Sequence, residues 1–384
     1  MVRPAGVVRA GTGCYAFDGS SDDTHHAPRR DRLPPGGGSW IAMCRRPTGN
    51  TEPCLVSRYR TGTGRSSIDI TVTSLRFSVI GAGRLGASLA LAFQAQGLSL
   101  AGFTSDSPAG RTKAEGWLGG HALSRLSDIV ALDPDVYVLS VPDQAVPEVA
   151  AELGALLATR GQRRDPRPPV VLHTSGATPV AALRSCERAG AIVLAFHPLQ
   201  TFTDPLTGQH RFFGTAVAVT PSPPQQDSPA AAFGFSLAGA LGARPFILDD
   251  DKRGLYHAAA TIACNYLVTL EHHAERLFVE AGLDEREALA LFLPLVTATL
   301  DNLREQGSVA ALTGPLSRGD TRTIAGHLRA LVNDAPHLLP LYRVLGLATL
   351  ELVRARADID PAVIGDMTSI LTAFAPPPEE EPTE

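Results

Sequence analysis

One stretch, Gly81-Ala82-Gly83-Arg84-Leu85-Gly86, decides the expected fold because it follows the apolar run Arg76–Ile80 and opens a segment rich in alanine and leucine. In a strand, turn and helix of this kind, the first glycine makes the tight turn, the second lets the backbone approach an anion and the third lets helix and strand pack closely. The N–H groups at the helix start then face the anion. The pattern predicts a pyrophosphate cradle for a dinucleotide; the alternative is a glycine-rich turn without a ligand. The expected contacts are Gly81, Gly83, Arg84, Leu85 and Gly86.

The composition of the chain limits the class of protein. At 384 residues, 44% of them hydrophobic, the chain is long enough for two domains with sizeable cores. Its apolar runs are interrupted before they reach a membrane span and no signal segment is recognisable, so we expect a cytoplasmic protein. The net charge of −5 favours neither nucleic acid nor a membrane surface as partner. The five cysteines lack CxxC spacing, so we expect no disulfide framework and no metal site.

The chain divides into four segments by composition and periodicity. Residues 1–73 are rich in Gly, Pro, Ser, Thr and Arg without regular periodicity, and we expect a disordered extension. Strand and helix patterns alternate over 74–248, which indicates an α/β domain with a parallel sheet and right-handed crossovers. Residues 249–374 are expected to form an all-helical domain, because apolar residues recur at i, i+3, i+4 and i+7. Residues 375–384 form an acidic tail.

Individual elements follow from the same patterns. The predicted strands are 76–80, 99–103, 136–140, 170–173, 192–196, 215–220 and 245–248. The predicted helices of the C-terminal segment are 256–278, 285–306, 337–355 and 361–374.

Polar residues follow several predicted strands. Ligands of open α/β sheets bind beyond the carboxyl ends of the strands, so these turns are expected to line one crevice. Each turn alone also has an ordinary structural explanation, because Ser-Gly and His-Pro are common in loops. The candidates are Val141 and Pro142 for the cofactor, His173, Ser175, Gly176 and Gln200 for the substrate, and His197 for catalysis.

The end of the second predicted strand bears on the choice between NAD and NADP. A carboxylate there would hold the 2′-hydroxyl of NAD, but the strand ends in Thr104 and Ser105, and Arg111 follows. Hydroxyls and a guanidinium suit a 2′-phosphate, which favours NADP. Asp106 keeps NAD open as the alternative.

The first C-terminal helix carries a polar stripe of His257, Thr261 and Asn265 at i, i+4 and i+8. Such residues either hydrogen-bond one another or face a ligand. In the second case His257 would exchange the proton that accompanies hydride transfer, and Asn265 would orient the carbonyl. In a later break of the helical pattern, Arg318 and Asp320 either clamp a substrate carboxylate or form a solvated loop in which Asp320 caps a helix.

Taken together, these motifs resemble a bacterial family that pairs a Rossmann-like domain with a C-terminal domain of unknown function and is described as oxidoreductase. Its wider relatives are the dehydrogenases with a 6-phosphogluconate-dehydrogenase-like helical domain, including ketopantoate reductase, pyrroline-5-carboxylate reductase and prephenate dehydrogenase. The matching stretches are 80–86, 141–143, 173–176, 196–202, 257–267 and 312–320.

The resemblance implies an NAD(P)-dependent oxidoreductase acting on a small, anionic C=O or C=N substrate, and a homodimer formed through the C-terminal helices. His257 stands where ketopantoate reductase has its catalytic lysine, Ser105 where it has a phosphate-binding arginine, and Asn265 matches an asparagine of the same helix. The replaced lysine keeps an alternative function open, a non-catalytic NAD(P)-binding regulatory or redox-sensing protein.

Overall fold

The computed structural model describes residues 74–373 together with three short strands near the N-terminus. These strands, β1 (Val8–Ala10), β2 (Cys14–Ala16) and β3 (Ala42–Cys44), pair antiparallel in the order β1-β2-β3. The rest of the predicted disordered extension 1–73, and the acidic tail 375–384, lie outside the described residues.

A sheet of seven strands forms the core of the α/β region, in the order β10-β9-β8-β7-β6-β4-β5. The strands are β4 (Arg76–Ile80), β5 (Ser99–Thr104), β6 (Val136–Leu139), β7 (Val170–His173), β8 (Ile192–Pro198), β9 (Ala216–Ser222) and β10 (Arg244–Ile247). Strands β6 and β7 are buried along their whole length, as expected of parallel strands covered on both faces. The predicted strands are confirmed, with ends that differ by at most two residues.

The prediction of parallel pairing throughout is wrong at one position. Strands β8 and β9 are antiparallel, with His197 opposite Ala218, whereas the other neighbouring strands of this sheet are parallel. The segment between β8 and β9 contains only the short helix α6 (Pro205–Gly208), so the chain turns back at the same edge of the sheet. A parallel partner would need a longer crossover to the other edge.

Helices cover both faces of the sheet. They are α1 (Arg84–Ala95), α2 (Pro108–Leu118), α3 (Leu126–Ala131), α4 (Val146–Thr159), α5 (Arg184–Arg188) and α7 (Pro229–Ala240). One buried cluster includes Phe77, Phe93 and Phe196, and the other includes Tyr137, Leu153 and Val193. Alternate residues of the strands serve the two clusters, so this layered packing fixes the strand ends that carry the candidate site.

The chain forms two compact units, one ending at Ala260 and the other beginning at Thr261. The division falls inside a long helix, α8 (Arg253–Glu280). The expected domain boundary at residue 249, where the strand patterns end, stays a prediction.

The second unit is helical. It contains the remainder of α8 and the helices α9 (Ala288–Ala311), α10 (Thr321–Asp334), α11 (Leu339–Arg356) and α12 (Pro361–Ala373). Its core joins α10, α11 and α12 through side chains such as Leu328, Leu350 and Met367. Helix α9 is kinked at Gly307, whose φ is +75°. In the part of the chain that the structure describes, no helix has both the length and the apolar character needed to cross a membrane.

Candidate active site

The glycine turn between β4 and α1 has a shape that only glycine permits. Gly81 has a φ of +90°, and a Cβ at this position would lie 2.6 Å from the Ser140 carbonyl oxygen. A Cβ on Gly86 would lie 2.4 Å from the carbonyl oxygen of Gly81, so helix and turn are packed closely. A Cβ on Gly83, in contrast, would meet nothing within 4 Å. The open side of the turn is therefore at Gly83, where a pyrophosphate would approach the backbone.

The start of α1 offers hydrogen-bond donors at the same point. Gly83 is the N-cap of the helix and no side chain caps it. The first N–H groups of a helix have no partner inside the helix, and the helix dipole makes this end positive. Arg84 is exposed here and Leu85 is half-buried. These features fit a dinucleotide pyrophosphate, with Arg84 as an additional positive charge.

The end of strand β5 is tied to the glycine turn. The carbonyl oxygen of Thr104 accepts hydrogen bonds from the N–H groups of Gly81 (3.2 Å) and Ala82 (2.8 Å). Arg111, from α2, donates to the carbonyl oxygens of Ser105 (3.2 Å) and Asp106 (3.1 Å). The guanidinium is thus held against the tip of β5, where the adenosine ribose of a bound dinucleotide lies in this type of fold.

Residues after β6 line the same turn. Val141 Cγ1 would lie 2.8 Å from a Cβ on Gly81, and Pro142 follows directly. Their place beside the cofactor stays a prediction.

The loop after β7 is built by its own side chains. The hydroxyl of Ser175 accepts from the N–H groups of Ala177 (3.2 Å) and Thr178 (2.9 Å) and donates to the Thr178 hydroxyl (2.8 Å). His173 has no exposed surface, and burial lowers its pKa from 6.5 to about 3. Because its side chain is fully buried, a role for His173 in substrate binding stays a prediction.

A buried arginine holds this loop in place. Arg253, only 1% exposed, donates to the carbonyl oxygens of Ser175 and Thr178 (2.7 Å for Thr178) and to the hydroxyl of Thr220 (2.9 Å). Its burial lowers its pKa, while the nearby carboxylate of Asp250 acts in the opposite direction. Arg253 therefore connects the loop after β7, strand β9 and the start of α8.

Near the end of β8, His197 lies against Tyr256 of α8. The Nδ1 of His197 is 2.8 Å from the Tyr256 hydroxyl, and the two rings are perpendicular. Burial, together with the charge of Arg253, lowers the pKa of His197 to about 4. Burial also raises the pKa of Tyr256 to about 12. At neutral pH both side chains are uncharged.

His197 and His257 converge on Gly176. Their ring centroids are 6.0 Å apart. A Cβ built on Gly176 would lie 2.4 Å from Nδ1 of His257 and 2.9 Å from Nε2 of His197. Even the smallest side chain would therefore displace these rings. The turn after β7, the end of β8 and the first turns of α8 form one cluster of polar groups at the carboxyl edge of the sheet.

The remaining predicted residues have other surroundings. Gln200 is exposed and its Oε1 accepts from the N–H of Thr201 (2.8 Å). In the second unit, Asn265 is exposed on α8 and Arg318 is exposed in a short turn. The carboxylate of Asp320 caps α10, accepting from the N–H (3.0 Å) and the hydroxyl (2.6 Å) of Thr323. Asp320 thus makes the helix cap that was the alternative to a carboxylate clamp.

Sequence patterns did not single out Arg253 or Tyr256. Both lie in the segment Asp249 to His257, where the two aspartates Asp250 and Asp251 indicate only a helix start. In the structure, the carboxylate of Asp250 accepts a hydrogen bond from the N–H of Val180 (2.7 Å). An arginine and a tyrosine three positions apart are simply neighbours on a helix surface, so their spacing gives no signal of burial.

Two family models match the chain. A model described as a Rossmann-like domain matches residues 61–198, and a model described as domain of unknown function DUF2520 matches residues 225–349. The chain combines a Rossmann-like domain with a DUF2520 domain. This pairing confirms the resemblance found in the sequence, and comparison with curated protein sequences gives no match.

Solved structures share the fold. A Bacteroides fragilis protein, provisionally described as an NADP oxidoreductase, is 24% identical with a TM-score of 0.57 over 71% of this chain and 97% of its own. Protein TM1727 from Thermotoga maritima is 21% identical with a TM-score of 0.54 over 73% of this chain and 99% of its own. A pyrroline-5-carboxylate reductase from Coxiella burnetii is 16% identical with a TM-score of 0.47 over 77% and 98%. At identities of 24% and 21%, the similarity to the first two structures concerns the fold alone.

Proposed function

We propose that the chain is an NAD(P)-dependent oxidoreductase that transfers a hydride to or from a small, anionic C=O or C=N substrate. The observation that carries the proposal is the convergence of His197 and His257 on Gly176, at the edge of the sheet that carries the glycine turn. The provisional description of the Bacteroides fragilis protein as an NADP oxidoreductase supports it.

The residues that would hold the cofactor are those of the glycine turn and its neighbours. The open side of Gly83 leaves space for the pyrophosphate, and the uncapped start of α1 supplies donors. When bound, a reduced nicotinamide supplies the hydride and becomes oxidised.

His257 is the proposed acid and base. In the reductive direction the hydride bonds to the substrate carbon, the π bond of C=O or C=N breaks, and the oxygen or nitrogen takes a proton from His257. Solvent then returns the proton to the imidazole. In the oxidative direction His257 takes the proton instead. Asn265 is the proposed orienting residue, carried from the resemblance.

Arg253 supports an anionic substrate. Its positive charge contributes to the lowered pKa of both His173 and His197, which supports a positive electrostatic field around these residues. The same field would attract a carboxylate bound near Gly176. We also keep Arg318 as a proposed contact for such a group.

We propose NADP in preference to NAD. The guanidinium of Arg111 is held at the tip of β5 by two carbonyl oxygens, beside Ser105 and Thr104. A 2′-phosphate would accept a charge-assisted hydrogen bond there. The side chain of Asp106 is exposed, and it is the residue through which NAD could be preferred instead.

We also propose that two copies associate through the helical unit. Large apolar side chains are exposed along α8 and α9, including Ile262 (64%), Val268 (68%), Leu291 (59%) and Leu295 (66%). Large exposed apolar side chains of this kind are typical of an interface, and a self-associating helical unit would cover them.

Turnover assays test the enzymatic proposal. NADPH oxidation is followed with a panel of 2-oxo acids and cyclic imines, and His257→Ala is expected to lose at least about 100-fold in kcat, the usual contribution of a general acid. His210→Ala, at an exposed histidine of the same unit, is the control and should be unchanged. NADPH binding without turnover of any substrate would favour the non-catalytic alternative, a regulatory or redox-sensing protein.

A further inference from the structure

The hydroxyl of Tyr256 forms a hydrogen bond with Nδ1 of His197. The two groups are 2.8 Å apart, and the hydrogen bond has two possible directions. Either Tyr256 donates its proton to Nδ1, or Nδ1–H donates to the phenol oxygen.

Donation by Tyr256 is the stronger arrangement. A phenol is a better hydrogen-bond donor than a neutral imidazole N–H, and an imidazole lone pair is a better acceptor than a phenol oxygen. Tyr256 keeps its proton at neutral pH because burial raises its pKa to about 12. Phe246 and His197 pack edge-on against its ring, at centroid distances of 6.1 and 5.5 Å, and hold the hydroxyl in place.

The opposite nitrogen of His197 faces the candidate site. Nε2 lies 2.9 Å from the position that a Cβ on Gly176 would take, beside the ring of His257. When Tyr256 donates to Nδ1, a neutral His197 must carry its proton on Nε2.

We propose that Tyr256 is a positioning residue that fixes His197 as a neutral Nε2–H donor directed toward Gly176, beside His257. In the reaction proposed above, on which this inference rests, His197 then donates a hydrogen bond to the substrate oxygen or nitrogen without giving up its proton. His257 alone exchanges the proton. The two histidines thus have different roles: one stabilises the charge that develops on the substrate and the other neutralises it.

Nitrogen NMR of the full-length protein tests this assignment directly. In protein labelled with ¹⁵N in its histidine rings, long-range proton–nitrogen spectra at pH 7 distinguish a protonated from an unprotonated ring nitrogen. The His197 signals, assigned by their loss in His197→Gln, are expected to show an unprotonated, hydrogen-bonded Nδ1 and a protonated Nε2. A protonated Nδ1 would overturn the proposal, and this outcome depends on neither a Tyr256 variant nor turnover.

Tyr256→Phe provides the second measurement. The Nδ1 signal of His197 is expected to move toward the position of an imidazole nitrogen without a hydrogen bond. The chain contains a matched control, because Nδ1 of His327 lies 2.8 Å from the hydroxyl of Tyr342 in the second unit. Tyr342→Phe should shift His327 and leave His197 unchanged. An unchanged His197 Nδ1 signal in Tyr256→Phe would contradict the proposal.

Kinetics separates this inference from the proposed function. With a substrate found in the turnover panel, Tyr256→Phe is expected to lower kcat about 10-fold or more with KM nearly unchanged, because the donor acts mainly in the transition state. If a substrate turns over but His197 carries its proton on Nδ1, this inference is overturned and the proposed function stands. If His197 carries its proton on Nε2 but no substrate turns over, the proposed function alone is overturned.

Discussion

The carbonyl oxygen of Thr104 accepts a hydrogen bond from the N–H of Ala82 at 2.8 Å, which joins the tip of the second strand of the α/β domain to the glycine turn. The parts of the candidate cofactor site that would meet the pyrophosphate and the adenosine ribose are therefore connected through the backbone. Arg111 is linked to the same strand tip through Ser105. Substitutions on either side of this connection should affect cofactor binding in different ways.

Gly83→Asp should abolish NADPH binding without harming the fold. Gly83 is an uncapped N-cap with extended φ/ψ, and a Cβ there meets nothing, so an aspartate would cap α1 and change the free energy of unfolding by only a few tenths of a kcal/mol. Its charge would repel the pyrophosphate. Gly83→Ser, which caps the helix without a charge, is the control and should bind more tightly than the aspartate variant. Fluorescence titration and thermal unfolding measure both effects; NADPH binding that survives in Gly83→Asp would place the cofactor elsewhere.

Arg111→Gln should weaken NADPH binding about 10- to 100-fold and leave NADH binding nearly unchanged, because a hydrogen bond to a charged group contributes about 1.5–3 kcal/mol. Lys113→Gln, at an exposed cation of the same helix, is the control and should have little effect. If the binding of NADPH and of NADH weakened equally, Arg111 would not contact the 2′-phosphate.

His173 should make stability depend on pH. Its pKa is lowered by burial from 6.5 to about 3, so between these values the unfolded chain binds more protons than the folded one. The free energy of unfolding therefore rises with pH through this window. The contribution of buried His173 to this free energy is complete above about pH 6.5. It is lost as the pH falls, by up to about 1.4 kcal/mol per pH unit.

Urea unfolding at pH 5, 6 and 7 of the chain and of His173→Gln measures this slope. The variant should show a shallower dependence on pH than the unaltered chain. His121→Gln, at a histidine whose side chain is 97% exposed, is the control. The same slope in all three proteins would show that His173 titrates normally in the folded state.

Arg253→Met should destabilise the first unit by about 3 kcal/mol or more. The change leaves three buried oxygen atoms without their donor, those of Ser175, Thr178 and Thr220.

Arg253→Met should also raise the pKa of His197, because the charge of Arg253 contributes to the lowering of that pKa. Denaturant unfolding and NMR titration measure the two effects, with exposed Arg184→Met as the control. A His197 pKa that stays the same in folded Arg253→Met would remove the electrostatic argument for an anionic substrate.

The double variant Leu291→Glu and Leu295→Glu should convert the proposed dimer to a monomer. These side chains are 59% and 66% exposed on α9, so charges there would be tolerated in a single copy but not in an apolar interface. Light scattering after size-exclusion chromatography measures the mass. Leu206→Glu, at a leucine of the first unit that is 54% exposed, should leave the mass unchanged. A monomeric unaltered chain would contradict the proposal.

The fold could be predicted from the sequence because its signals are local. Gly81 to Gly86 and the apolar strands specify their own geometry, and the strands were placed to within two residues. The antiparallel pairing of β8 and β9 was missed, since the direction of a strand depends on where the connection after Pro198 leads. The apolar periodicity did not predict helix α10 either, although the sequence offers Asp320 as its cap.

The candidate site could be predicted only in part for a related reason. His197 and His257 stand out in the sequence because one lies at the end of a predicted strand and the other belongs to a polar stripe on a predicted helix. Tyr256 and Arg253 do not, because their roles arise from contacts with residues far away in the sequence, such as Thr220 and Thr178. The burial of His173 likewise depends on the packing of the loop that follows it.

The central claim is that the glycine turn binds a nicotinamide dinucleotide. Fluorescence titration of the unaltered full-length chain with NADPH and, separately, with NADH tests it most directly. The structure leads us to expect saturable binding of both, with NADPH bound more tightly. No saturable binding of either cofactor would contradict the claim.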